Sequence, residues 1–279
     1  MIKKILKISL FLILSVLLIL VGFYITAPDG SEFRTKNPRT TALIEKRKDE
    51  YRRAGKKVAI KWQWVSISQI SPYFIQAIIL AEDARFYQHP GFDIEAMKYA
   101  LEKNIKRKKF AVGGSTITQQ LARNLYLSPK KSLFRKFREL LIAYKLDKTL
   151  SKHRILELYL NVIELGRGIY GVEAAAQTYF GKSASALNVE EASSLVAIMP
   201  SPRRHQPLDG TKFTERRRTR LLNWMFKTGR IDSLTYYRLT EHGGEQLGEY
   251  LDSTAIQHFL QKSQPDSLSD SLSESNGLP

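Results

Sequence analysis

One stretch near the start of the chain limits the fold more than any other. Ile8 to Ala27 is 20 residues long and carries no charge. As a helix such a run spans roughly 30 Å, the thickness of a bilayer's hydrocarbon core. It is apolar on every face, which a helix half-buried in a soluble core is not. It is longer than the apolar region of a cleaved signal peptide, and no small-x-small site follows it. Lys3, Lys4 and Lys7 precede it. That asymmetry predicts a single-pass anchor with the N-terminus in the cytoplasm and everything after Ala27 outside.

The rest of the 279 residues leaves room for one catalytic-sized domain. The chain has no Cys, which excludes disulfides, thiol nucleophiles and Cys-ligated metals. Lys plus Arg number 44 against 27 Asp plus Glu, a net charge of +17. A polyanionic partner follows: a nucleic acid, an anionic membrane or a phosphate-bearing substrate. The anchor argues against chromosomal DNA.

Residues 28–60 are polar and read as a juxtamembrane connector with one short helix from Thr41 to Arg53. Its Lys46–Lys48 stripe is expected to be solvated. Trp62 to Ile67 alternates and predicts a short strand. From Pro72 onward the period is helical. Predicted helices are Pro72–Asp83, Ile94–Lys106, Thr116–Leu127, Lys130–Leu150, Lys152–Leu165, Tyr170–Phe180, Val189–Met199, Phe213–Lys227 and Ser233–His242. Ser128 is expected to cap the fourth of these. The Ser-, Asp- and Glu-rich tail from about Ser263 is expected to be disordered.

Four segments could carry chemistry. In AEDARFYQHPGF, an apolar helix runs into Glu82 and Asp83 and then an aromatic turn, a setting that desolvates a carboxylate and suits a proton acceptor. The alternative is a helix-end acid paired with Arg85. His89 is a ligand, a base or a hydrogen-bonded turn residue. In GGSTITQQLARN, two glycines feed a helix whose first turn could bind an anion through free amides. In KKSLFRKFRELL, Lys131, Arg135 and Glu139 follow at i,i+4 spacing; this basic stripe suits a pyrophosphate or is a solvated face. In RILELYLN, Glu157 and Asn161 could tie helices together. The later Gly166-x-Gly168-x-x-Gly171 follows a helix, so it is not a dinucleotide fingerprint.

EDARFYQHPGF, GGSTITQQLARN, RKFRE, and RILELYLN with RGIYGVEAAAQTYFGK together resemble the successive motifs of the family 51 glycosyltransferases. The single anchor and the WQWV segment resemble its monofunctional biosynthetic peptidoglycan transglycosylases. The resemblance covers about residues 62–207. It implies a mostly α, two-lobed, lysozyme-like domain over residues 61–245, with residues 246–279 as a C-terminal extension. It implies polymerisation of lipid II into β-1,4-linked glycan, with undecaprenyl pyrophosphate leaving, in the bacterial cytoplasmic (inner) membrane. Only about 70 residues follow the last motif, so no transpeptidase domain is expected.

By position in the motifs, Glu82 is implied as general base and Glu139 as the second essential acid. Glu139 either organises the basic cluster or holds a divalent cation, magnesium or manganese; no organic cofactor is implied. Ser115, Gln120, Arg123, Lys131, Arg135 and Lys136 match donor-site contacts. Arg123 stands where many relatives have Lys. Asp83, Phe86, His89, Gly91 and Asn124 are supporting positions. The implied partners are lipid II, the nascent glycan strand and the membrane, with other cell-wall synthesis proteins as candidates and no nucleic acid. Two rivals are a glycan-cleaving lysozyme-like enzyme and a scaffold that binds without turnover.

Overall fold

The computed structural model describes residues 2–108, 113–127 and 132–240. Lys131, Ser128 and the acidic tail therefore lie outside the described residues, as does the end of the last predicted helix. The described chain is mostly helical. In order it runs α1 (Ile2–Thr26), α2 (Ala42–Arg53), β1 (Lys61–Trp62), α3 (Pro72–Glu82), α4 (Ile94–Lys106), α5 (Ile117–Tyr126), α6 (Leu133–Thr149), α7 (Lys152–Val162), β2 (Glu164–Gly166), β3 (Ile169–Tyr170), α8 (Val172–Phe180), α9 (Val189–Ile198), α10 (Lys212–Lys227) and α11 (Ser233–Thr240).

Local chemistry sets these boundaries. Pro72 opens α3, where its missing N–H costs nothing. Thr116 caps α5 and Asn188 caps α9, each with a reciprocal bond from the residue three positions on. Ser132 supplies the side-chain cap of α6, accepting from the Arg135 amide. Gly181 ends α8 in the left-handed region.

The core gathers around α7, whose Ile155, Leu156, Leu158, Tyr159 and Leu160 are fully buried. Helices α5 and α6 pack on each other, α5 packs on α7, and α3 is held between α9 and α10. Phe74, Ile78, Ile117, Leu121, Ile142 and Leu146 fill the space between them. Helix α4 contributes only Ala100 to the buried set.

The predicted strand shrinks to Lys61–Trp62. It pairs parallel with β3, which pairs antiparallel with β2. The residues after it are extended but bonded to side chains. Asn161 accepts from the Val65 amide at 3.0 Å and donates to the Val65 carbonyl at 2.9 Å, and Glu157 accepts from the Ile67 amide at 3.0 Å. Glu157 and Asn161 thus tie α7 to this extended segment, where a helix-to-helix tie was expected. The β2–β3 hairpin occupies residues read as helix ends: Gly168, at φ +73°, makes the turn, and its carbonyl accepts from Lys61 at 2.7 Å.

The anchor and connector are docked on the domain. Phe23 of α1 stacks on Phe134 of α6 at 6.4 Å and meets Phe137 edge-on at 6.1 Å. Arg138 donates to the Thr26 carbonyl at 3.0 Å and Lys145 to the Ala27 carbonyl at 2.7 Å. Cations thereby satisfy the carbonyl end of α1, where the helix dipole is negative. Further on, Arg154 grips the carbonyls of Phe33 and Lys36. In α2, Arg47 binds Glu164 at 2.7 Å and Glu50 at 2.8 Å, so the Lys46–Lys48 stripe is not wholly solvated.

Candidate active site

Glu82 is the last residue of α3, where the apolar helix leaves the core. Its Oε2 accepts from Gln120 Nε2 at 2.7 Å. Gln120 in turn accepts from the Tyr159 hydroxyl at 3.1 Å. A chain of three side chains from α3, α5 and α7 therefore fixes the carboxylate. Burial pushes the Glu82 carboxyl above its usual pKa range. The Gln120 bond and the charges of Arg217 and Arg123 pull it back, while neighbouring Asp83 adds to the rise. Burial also holds the Tyr159 phenol well above its usual value, with the Glu82 charge adding to the shift, so the phenol serves as a donor. A desolvated, oriented, partly compensated carboxylate is the arrangement a general base needs.

Asp83 points elsewhere. Its Oδ1 meets His89 Nε2 at 2.8 Å and its Oδ2 accepts from the Ile117 amide at 2.9 Å. The Thr116 hydroxyl accepts from the Gln119 amide at 3.2 Å and donates to the Gly91 carbonyl at 2.7 Å. The entry to α5 is thus capped by the chain's own groups, and the amides of Thr116, Ile117 and Gln119 are engaged rather than free for an anion. His89 is buried, edge-on to Phe86, with its carbonyl accepting from Lys152 at 2.6 Å. It is a turn residue in this arrangement. Gly91 has φ +83°, and a Cβ there would stand 2.5 Å from the Ala143 carbonyl oxygen, so α6 packs directly on this turn. Phe86 is fully buried beneath it. Asn124, buried, lies one turn past Gln120 on α5.

A second cluster sits at the start of α5. Lys136 Nζ reaches Ser115 Oγ at 2.9 Å and Glu139 Oε1 at 2.5 Å. Arg135 Nη1 stands 3.6 Å from Glu139 Oε2. Glu139 is almost wholly buried, while the two cations keep some solvent contact. The buried acid therefore anchors two cations at the edge of the site. Through Ser115, which Lys136 binds, this cluster is tied to the segment that leads into α5, the helix that carries Gln120.

The transglycosylase family model matches residues 50–226, which takes in every element of this site. The chain belongs to the transglycosylase family. A biosynthetic peptidoglycan transglycosylase of Nitrosospira multiformis is 44% identical over 189 residues, 68% of this chain and 82% of that protein. Another from Nitrosomonas eutropha is 48% identical over 171 residues, 61% of this chain and 70% of its own length. The enzyme is accordingly a monofunctional-type peptidoglycan glycosyltransferase by family.

Two residues of the enzyme's site escaped sequence reasoning. Tyr159 is a hydroxyl on an otherwise aliphatic buried face of α7, and that misfit was the available signal. Arg217 lies on α10 between Thr214 and Leu221, both buried, so a cation falls on the inward seam of the helix. The triple-arginine run around it reads as a solvated face unless that seam is traced.

Proposed function

We propose that the enzyme polymerises lipid II into β-1,4-linked glycan strands and releases undecaprenyl pyrophosphate. The observation that carries this reading is the Gln120-bound, half-buried Glu82 in one chain with the Lys136–Glu139–Arg135 cluster. Glu82 takes the proton from the acceptor sugar's 4-hydroxyl as that oxygen attacks C1 of the donor. The C1–O bond to pyrophosphate breaks on the opposite face, inverting the centre. A positioned base contributes about 10²–10⁴-fold. Charge gathers on the leaving pyrophosphate, and in this reading Lys136, Arg135 and Arg123 are the cations that neutralise it. A glycan hydrolase has no such charge to neutralise, so the cluster favours transfer.

The residues around Glu139 are a poor fit for a divalent cation. Its two oxygens are engaged by Lys136 and Arg135, and no group of three acidic or histidine side chains surrounds it among the described residues. Glu139 is better suited to organising the cations, and no step is routed through a metal. The apolar α1 suits a single-pass anchor in the cytoplasmic membrane with the domain outside. The reading includes no transpeptidase activity. Incubating the full chain with labelled lipid II and digesting the product with muramidase tests it. Polymer that muramidase reduces to disaccharide units is expected; unchanged lipid II, or cleavage of preformed glycan, would count against it.

A further inference from the structure

A desolvated carboxylate that must work as an anion needs positive charge nearby. One source, Arg123, is on α5, the helix that also carries Gln120. The other is on α10. Arg217 Nε donates to the Ala197 carbonyl in the last turn of α9 at 2.9 Å. Its guanidinium carbon lies 5.9 Å from the Phe213 ring centre, and Phe213 stacks on His205 with centroids 4.3 Å apart. The side chain is therefore held by a carbonyl on one side and an aromatic platform on the other. Adjacent Arg218 is neutralised by Glu190 at 3.1 Å and Glu215 at 2.7 Å. Arg217 is tethered to a neutral carbonyl instead, so its charge is left to act across the packing of α10 on α3.

We propose that Arg217 is a positioning residue for glycosyl transfer, fixed by Ala197 and Phe213 to supply the counter-charge to Glu82 from the α10 side. This rests on Glu82 being the base. Burial lowers the pKa of Arg217, the Glu82 charge raises it, and Arg220 lowers it. From the other direction, the charges of Arg217 and Arg123 both lower the pKa of Glu82. The groups acting on Glu82 are Asp83 from α3, Gln120 and Arg123 from α5, Tyr159 from α7 and Arg217 from α10. Helix α9 presents the Ala197 carbonyl to Arg217. Removing Arg217 leaves burial and Asp83 opposed only by Gln120 and Arg123, so Glu82 holds its proton to higher pH.

The test is the pH dependence of kcat/KM for lipid II polymerisation by the full chain in detergent, for wild type, Arg217→Gln, Arg217→Lys and Glu82→Gln. The acidic limb of Arg217→Gln should move to higher pH by at least about half a unit. Arg217→Lys should restore most of the limb. An unmoved limb, with or without a fall in rate at every pH, overturns the proposal. If Arg217→Gln does not fold, Phe213→Leu frees the guanidinium from its platform and must move the limb the same way. Glu82→Gln separates the two claims: an active Glu82→Gln enzyme sinks the base reading itself, whereas an inactive one beside an unmoved Arg217→Gln limb sinks only the role of Arg217.

Discussion

Gln120 donates to Glu82 across the α3–α5 contact at 2.7 Å, and its own carbonyl is held by Tyr159. The amide therefore presents a fixed donor, and only the ionised or properly turned carboxyl accepts from it. Gln120→Ala should raise the pKa of Glu82 further, because a hydrogen bond to the charged form is lost. The rate of lipid II turnover should fall most at low pH and recover as pH rises. A pH profile parallel to wild type would contradict this.

Burial has a consequence for stability. The folded-state pKa of Glu82 lies above its unfolded value near 4.5. A group shifted this way adds stability that is fully present below the unfolded pKa and is lost as pH rises through the folded pKa. Glu82→Gln carries no such charge. Melting of the variant and wild type should therefore coincide at low pH, with the variant melting higher at alkaline pH. Equal differences at all pH values would mean that the Glu82 carboxylate is not desolvated.

Lys136 serves two partners, and the outcome of removing it separates them. Lys136→Ala should lose at least about thirtyfold in turnover, since a charge-assisted contact in a water-poor site contributes roughly 2–4 kcal/mol. It should also lower the melting temperature, because Glu139 is left buried with only the longer Arg135 contact. Lys136→Ala with Glu139→Gln should regain stability without regaining activity. Recovery of both would show that Lys136 serves only the fold. The same activity loss is expected for Lys131→Ala, from its place in the sequence motif.

The basic stripe of α2 gives an internal control, once Arg47 is set apart. Lys48, exposed and paired with Glu45, should tolerate Ala within about 0.5 kcal/mol. Arg47→Ala breaks bonds to Glu164 and Glu50 and leaves Glu164 partly buried, so it should cost about 1–3 kcal/mol. Thermal melts of the two variants compare them directly. Equal losses would contradict the docked geometry of α2.

The chain has no Cys, so paired cysteines report cleanly on the anchor. Phe23→Cys with Phe134→Cys should join under a short bis-maleimide in the full chain. Pairing of residue 23 with an exposed position of α10 should not occur. If both pairs join at similar rates, α1 is a loose tether rather than a docked element.

Much of this was readable from residue order. The period of three to four placed every main helix, and α4 matched its expected bounds of Ile94–Lys106 because Asp93 caps it and its amphipathic pattern is unbroken. What failed did so for long-range reasons. The β2–β3 hairpin lies where Gly166, Gly168 and Gly171 interrupt helix-forming residues, and pairing with distant Lys61–Trp62 decides the outcome. The capping of α5 by Asp83 could not be seen, because the two lie 34 positions apart. Arg47, Tyr159 and Arg217 were missed for one shared reason: each is a polar group on a buried or half-buried seam whose partner comes from a different element of the fold.

The central claim is that Glu82 takes the acceptor's proton, and Glu82→Gln tests it most directly. The amide keeps the shape of the side chain but cannot accept that proton. Turnover of labelled lipid II by the full-length variant, with its melting curve recorded beside wild type, is the measurement. The account predicts a folded protein whose turnover is reduced by at least about a hundredfold at every pH. A folded variant that polymerises lipid II at a near-normal rate would contradict it.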